Sequence, residues 1–365
     1  MSLQKVGFIG LGLIGGSIAK RLKAIHPQLT VIAAAGHAET VAEAFRQGLI
    51  ANETPCEIRD FYDCDYIFLC APVLKNIEYL RQLSGNIGEN CIITDVGSVK
   101  GSIHREVHAL GLERRFIGGH PMAGSEKTGL ASAKDFLLEN AYYIITPTEQ
   151  SDTQAVADFR ELVASLGAIP LVLDYELHDY ATAAISHLPH VIAYSLVNLV
   201  RESDDEKETM KTIAAGGFKD ITRIASSSPE MWEHICLSNS GPLIALIDAF
   251  IERLQQTKTD IAHADGTALI SAFSAAKDYR DSIAISRSGA LKQVYEIYVD
   301  LLDEAGGIAT IATILATNNL SIKNIGIIHN REFEDGVLRL EMYDRESLDA
   351  SIALLKRHHY TIYKR

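Results

Sequence analysis

The feature that most restricts this chain is Gly10-Leu11-Gly12-Leu13-Ile14-Gly15, set directly behind the apolar run Val6-Gly7-Phe8-Ile9. Such a strand turns on glycines straight into a helix. Gly10 permits the tight turn, Gly12 lets backbone approach a pyrophosphate, and Gly15 allows close helix–strand packing. Amide groups at the helix N-terminus, here including Leu13 and Ile14, then receive the phosphates. The helix continues over Ile18–Ile25 until His26-Pro27 stops it. A Rossmann-like, doubly wound α/β domain with a bound dinucleotide is the expectation. An acid about 20 residues beyond the glycines usually holds the ribose hydroxyls. Here the second strand ends in Ala33-Ala34-Ala35-Gly36-His37, and the first acid is Glu39. Losing that carboxylate removes the repulsion of a ribose phosphate, yet no Arg attracts one. NAD is therefore expected, with NADP left open.

Strand-like and helix-like pieces keep alternating after the motif. Leu29–Ala34, Tyr66–Cys70, Cys91–Asp95 and Tyr142–Thr146 are continuous apolar runs, and Glu39–Gln47 is a helix ended by Gly48. Uninterrupted apolar strands separated by helices predict a parallel sheet covered on both faces. From about Glu176 helices take over, including Ser186–Arg201 and Met231–Gln255. Within the first, Val191–Val200 is apolar on most sides and is expected to pack between helices or across a subunit boundary. Ser282–Gly289 is a Ser/Gly linker. Beyond it the order changes again: strand Tyr295–Leu301, helix from Gly306-Gly307 to Thr317, strands Ile322–His329 and Val337–Met342, helix Ser347–His358, strand Tyr360–Tyr363. That β-α-β-β-α-β order is ferredoxin-like. The predicted domains are residues 1–172, 173–285 and 293–365.

Charge excludes some functions. Lys plus Arg number 34 against 47 Asp plus Glu, a net −13, which disfavours nucleic acid and acidic membranes as partners. An anionic substrate would need a local cation cluster. Five cysteines without a CxxC pair fit reduced thiols in a cytoplasmic protein. The run Val6–Ala19 imitates an export signal but carries five glycines and no small-residue cleavage site. No stretch reaches the ~18 uninterrupted apolar residues of a membrane span.

Four further constellations carry chemistry. Asp95-Val96-Gly97-Ser98-Val99-Lys100 closes a central strand, so Ser98 either reaches substrate or nicotinamide, or caps the next helix. Gly118-Gly119-His120-Pro121-Met122-Ala123-Gly124-Ser125-Glu126 reads as a loop exposing one imidazole to a cleft, suited to acid–base work on a hydroxyl. In Ser186-His187-Leu188-Pro189-His190 two histidines share a helical face, but no matching Cys or His cluster supports a metal site. His104 and His108, with Arg105 and Glu106 between them, read as a solvated helix face. Last, Gly216-Gly217-Phe218-Lys219-Asp220-Ile221-Thr222-Arg223 puts Lys219 and Arg223 one turn apart. They form either a carboxylate clamp or a salt bridge to a nearby acid.

Taken together these motifs resemble prephenate dehydrogenases of tyrosine biosynthesis, in the bacterial form with a C-terminal ACT domain. The resemblance runs through GLGLIGGS (Gly10–Ser17), DVGSVK (Asp95–Lys100), GGHPMAGSEKTG (Gly118–Gly129), ELHDY (Glu176–Tyr180), SHLPH (Ser186–His190) and GGFKDITRIASSSPEMW (Gly216–Trp232). The missing ribose acid is the clearest departure. The resemblance implies NAD-dependent oxidative decarboxylation of prephenate to 4-hydroxyphenylpyruvate. His120 would be the base and Ser98 its partner on the substrate hydroxyl. Arg223 would clamp a carboxylate, His190 and Ser186 would contact substrate, and Glu126 and Asp220 would gate the cleft. It further implies an all-α homodimerisation domain and an ACT domain sensing L-tyrosine. Arogenate dehydrogenase, and a non-catalytic nucleotide and amino-acid sensor, are the alternatives.

Overall fold

The computed structural model describes residues 3–124, 128–283, 295–300, 306–328 and 337–363. Two compact units divide at Gly289; residues 284–294, which hold most of the expected linker, lie outside the described residues.

The first unit starts β1 (Lys5–Ile9), α1 (Leu13–Ile25), β2 (Thr30–Ala34), α2 (Ala38–Arg46), β3 (Tyr66–Leu69), α3 (Val73–Leu83), β4 (Ile92–Asp95) and α4 (Gly101–Ala109). These strands pair in parallel in the order β2-β1-β3-β4. Successive side chains point to opposite faces. Val6, Phe8 and Phe68 therefore join the core on one side, while Ile67, Leu69 and Ile93 build the other. Phe8 stacks on Phe68 at 5.1 Å. Both faces are dry, which is why these strands are continuously apolar.

The sheet then departs from expectation. β5 (Ile117–Pro121), β6 (Tyr142–Pro147) and β7 (Ile169–Val172), with α5 (Thr153–Ser165) between the last two, form a further three-stranded segment. It joins β4 through a parallel bridge from Ile93 to Phe116. β6 runs antiparallel to β5, and β7 is parallel to β6. The sheet is thus mixed rather than purely parallel. His120 lies in a strand, not the loop its glycines suggested, because Gly118 and Gly119 each fill a place where a side chain does not fit.

Helices follow: α6 (Tyr175–Thr182), a π-helical turn (Ala183–His187), α7 (Leu188–Ser203), α8 (Thr209–Ile213), α9 (Gly216–Thr222), α10 (Pro229–Ser238), α11 (Ser240–Ala262) and α12 (Gly266–Ser282). Asp174 caps α6 by accepting the N–H groups of Glu176 and Leu177. The helix expected over Met231–Gln255 is instead two, bent by 93° at Asn239. Tyr175–Ser203 is long and apolar enough to cross a membrane by length and composition. It packs, however, against α4, β6 and α11, and it carries His178, His187 and His190.

The second unit contains β8 (Tyr295–Asp300), α13 (Gly307–Thr317), β9 (Ile322–Ile328), β10 (Val337–Met342), α14 (Arg345–Arg357) and β11 (Ile362–Tyr363). Its antiparallel sheet has the order β11-β8-β10-β9, over a core of Ile297, Val299, Ile311, Leu315, Leu338, Leu340 and Leu355. This is the ferredoxin-like arrangement. Of Asp303–Gly307 and Asn318–Leu320, the two stretches where the resemblance puts the bends around a ligand, Asp303, Glu304 and Ala305 lie outside the described residues.

Candidate active site

β1, β3, β4 and β5 present their carboxyl ends along one edge of the sheet. Ligands of open α/β sheets gather at that edge, where the strand order reverses between β1 and β3. Gly10 sits there at φ +108°, and a Cβ on it would come within 2.7 Å of the Cys70 backbone. Gly12 instead faces open space, with nothing within 4 Å of where a Cβ would be. α1 begins there without a side-chain cap and with no acid in its first turn. Free amides of Leu13, Ile14 and Gly15 above an open glycine suit a pyrophosphate, so the residues present fit NAD. On β2's side, His37 and Glu39 are exposed at the start of α2.

Next along the edge, the segment after β4 is pinned in place. Fully buried Lys100 donates its ammonium to Asp95 and to the Gly119 carbonyl. Asp95 also accepts the N–H groups of Gly97 (2.9 Å) and Gly119 (3.3 Å). Burial pushes the Lys100 ammonium down, against the pull of Asp95. A Cβ on Gly119 would meet the Asp95 carbonyl at 2.7 Å, so only glycine lets β5 lie this close. Half-buried Ser98 occupies the bend between Asp95 and Lys100. The N-cap of α4 is Lys100, with no side-chain bond, so Ser98 is not the helix cap.

His120, near the end of β5, has Nδ1 2.8 Å from His178 Nε2. His178 Nδ1 in turn lies 2.8 Å from Asp179 Oδ1. Asp179 also accepts the N–H groups of Lys100 (2.8 Å) and Gly101 (2.7 Å) at the start of α4. Burial lowers the His120 imidazole well below 6.5, and the charges of His178, Lys100 and His187 act in the same direction. Burial pushes Asp179 up, but the His178 bond and the two backbone N–H groups outweigh it and hold the carboxyl below its usual range.

The helical side supplies the opposite wall. His187, buried in the π-turn, has Nδ1 3.1 Å from the Asn239 amide, which also donates to the Asp179 carbonyl at 2.8 Å. Burial drives His187 down to about 4. His190 Nδ1 donates to the Ser186 carbonyl at 2.9 Å, and its ring stacks on Trp232 at 3.6 Å. His187 approaches the same indole edge-on at 6.0 Å. The Trp232 indole N–H is buried with no partner among the described residues. A cavity of about 410 Å³ opens here, lined by His190, Tyr194, Ile224, Trp232 and Cys236. Burial lowers His190 first, and the charge of Arg223 lowers it further.

The structure therefore brings His120 and His187 together, and His190, Arg223 and Trp232 together beside them. Ser186 gives its backbone rather than its hydroxyl. Asp220 and Arg223 are exposed on α9 and the turn after it; Glu126 lies outside the described residues. His104 corrects the solvated-face reading. It is buried, bonded to Thr146 at 3.0 Å and stacked on Tyr175 at 4.5 Å, whereas His108 is exposed beside Glu113. Sequence reasoning passed over His178, Asp179, Asn239 and Trp232 as site residues. The only signal for the first two was the quoted stretch Glu176–Tyr180. Among the described residues no His, Cys, Asp and Glu group could hold a metal.

Residues 18–171 match the family model described as the prephenate dehydrogenase nucleotide-binding domain, and residues 174–288 match the prephenate dehydrogenase dimerization domain. A prephenate dehydrogenase of Bacillus subtilis is 40% identical over 91% of this chain and 90% of its own length. The chain belongs to the prephenate dehydrogenase family. Among solved structures of similar proteins, prephenate dehydrogenase from A. aeolicus, in complex with hydroxyphenyl propionate and NAD+, is 32% identical. It superposes with a TM-score of 0.73 and covers 78% of this chain and 99% of its own. Arogenate dehydrogenase of Synechocystis is 29% identical, with a TM-score of 0.70, over 77% of this chain and 100% of its own.

Proposed function

We propose that this chain oxidises prephenate at the ring carbinol carbon, with NAD as acceptor, and releases carbon dioxide to give 4-hydroxyphenylpyruvate. The observation that carries this reading is His120, held at the ligand edge of the sheet by a bond to its Nδ1 and facing the helical wall. Bound NAD supplies the acceptor for the hydride. His120 takes the hydroxyl proton as the carbinol becomes a carbonyl. Loss of the ring carboxylate then returns an electron pair to the ring, which becomes aromatic, and the ring oxygen recovers the proton from His120. Atoms and charges close without a net proton, so each turnover leaves the imidazole as it began. A low proton affinity suits that role, because the imidazole is neutral when substrate arrives.

In this reading Gly10, Gly12, Leu13, Ile14 and Gly15 hold the dinucleotide, and Ser98 hydrogen-bonds the reacting hydroxyl. Arg223 clamps a substrate carboxylate, His190 and Ser186 line the far side, and Glu126 and Asp220 gate the entrance. The working unit is a cytoplasmic homodimer with domains at 1–172, 173–285 and 293–365, and the last of these is an ACT domain that binds L-tyrosine and lowers activity. A chain ending at Arg287 should keep turnover and lose tyrosine inhibition; equal inhibition of that shortened chain would place tyrosine in the active site instead. Arogenate is the second substrate to try, given the Synechocystis relative. A bare sensor has no use for a base held as His120 is. Mixing the protein with prephenate or arogenate and NAD or NADP, and following absorbance of the reduced cofactor, tests the reading. No reduction with either substrate would refute it.

A further inference from the structure

Carboxylates only accept hydrogen bonds. Asp179 therefore fixes the proton of His178 on Nδ1, across 2.8 Å. His178 Nε2 is then a bare acceptor, and the 2.8 Å contact to His120 is a bond donated by His120 Nδ1–H. It follows that His120 carries its proton on Nδ1 and keeps its lone pair on Nε2. We propose that His178 and Asp179 are positioning residues that set the tautomer of His120, so that Nε2 is the atom that receives the substrate proton. This deepens the functional reading above and rests on it.

Several observations support the chain. His178 is fully buried and has no access to bulk solvent, so its two nitrogens are committed to these two partners. Asp179 is anchored independently by the N–H groups of Lys100 and Gly101, at the positive end of α4. That anchor keeps the carboxylate ionised, which its depressed proton affinity reflects. The titratable groups facing His120 from the elements around it are His178 on α6, Lys100 ahead of α4 and His187 in the π-turn. Lys100 is neutralised by Asp95. Asp179 is therefore the anion that answers the positive charge His120 acquires during the proton transfer, relayed through one imidazole. The arrangement does for a pair of histidines what a buried Asp does for the single histidine of a serine protease triad.

The test compares two substitutions in the full-length enzyme. In Asp179→Asn the amide nitrogen, set at the Oδ1 position, gives up the Lys100 N–H and donates to His178 Nδ1, which turns the chain around and leaves His120 protonated on Nε2, while the amide oxygen keeps the Gly101 N–H. Its kcat should fall about 10²–10⁴-fold, with NAD affinity unchanged. His178→Gln can accept from His120 and donate to Asp179 at once, preserving the tautomer, and should keep kcat within about tenfold. In ¹⁵N-histidine spectra, His120 should show an unprotonated Nε2 in the wild type and in His178→Gln, and a protonated one in Asp179→Asn. A purely structural role would not exchange those signals. A wild type with a protonated His120 Nε2, or an Asp179→Asn protein that shows one and still turns over within about threefold of wild type, overturns the proposal. His120→Asn is measured alongside: if it too is fully active, the base assignment itself has failed and not merely its support.

Discussion

The sheet and the helices bury their apolar residues in different ways. In the sheet, Val6, Phe8, Ile67, Phe68 and Ile93 are wholly buried within one chain. In the helices, α11 buries only Leu243 and α12 buries none. Ile244, Ile251, Leu254 and Ile261 are 54–63% exposed and recur at spacings of seven, three and seven along α11. That is the period of a helix–helix seam, with Ile247 on the same stripe. Ile270 and Phe273 extend the apolar surface onto α12. One half completes its core alone; the other is a half-core that a second copy completes, in agreement with a dimerization domain. Hydrophobicity in a sequence thus marks two different things. In the same half, Tyr175–Ser203 also satisfies the length and composition of a membrane span.

If the sheet side carries the chemistry, His120→Asn should lower kcat by about 10²–10⁴-fold and leave NAD affinity alone. Near wild-type turnover would break the division of labour at its first point. If the helical side holds the substrate, Arg223→Ala should act mainly on KM, by ~2–5 kcal/mol or roughly 30- to 5,000-fold. A change confined to kcat would move Arg223 to the other side of the comparison. Ile251→Asp puts a charge into the seam and should weaken self-association by ~2–4 kcal/mol, while far-UV circular dichroism stays native. Sedimentation at several concentrations reads this directly, and an unchanged dimer would mean that α11 faces solvent.

The smallest expected effect falls on both halves alike. Burial drives His104 beside the sheet and His187 among the helices down to about 4. In the unfolded chain both titrate near 6.5, so below that pH the unfolded state binds protons that the folded state refuses. Their contribution is complete above about 6.5 and shrinks as pH falls toward about 4, by on the order of 1–3 kcal/mol for each ring. His104→Asn should flatten the decline of melting temperature across that window, and an unaltered slope would count against its burial as a neutral ring.

The sheet half was largely legible because its signals are local. The glycine motif, the continuous apolar strands and Gly48 at φ +68° each act over a few residues. β5 escaped because two glycines and a proline are poor strand formers, and tertiary contacts with Asp95 and Thr146 override that preference. The 93° bend at Asn239 does have a local mark, Gly241-Pro242, where proline suits the first turn of a new helix, but the apolar pattern on both sides masks it; the Asn239 side chain is drawn inward to Asp179 and His187. The chain from His120 to His178 spans 58 residues. No spacing rule links positions so far apart, and only the folded backbone brings them together.

The π-turn at Ala183–His187 sets a rotational phase. Each residue of an α-helix advances by about 100°, so removing one residue from this turn would rotate everything that follows by about that angle. α7 carries His190 toward Trp232 and, on the same cylinder, exposes Tyr194 and Leu199. One angular setting therefore governs both where the imidazole points and where the apolar stripe points. Insertions or deletions within Ala183–His187 should disturb substrate binding and subunit pairing together. Changes on α12 and on the exposed stripe Ile251, Leu254 and Ile261 of α11 leave that setting untouched, so those positions are where the strength of pairing is free to vary without turning the site.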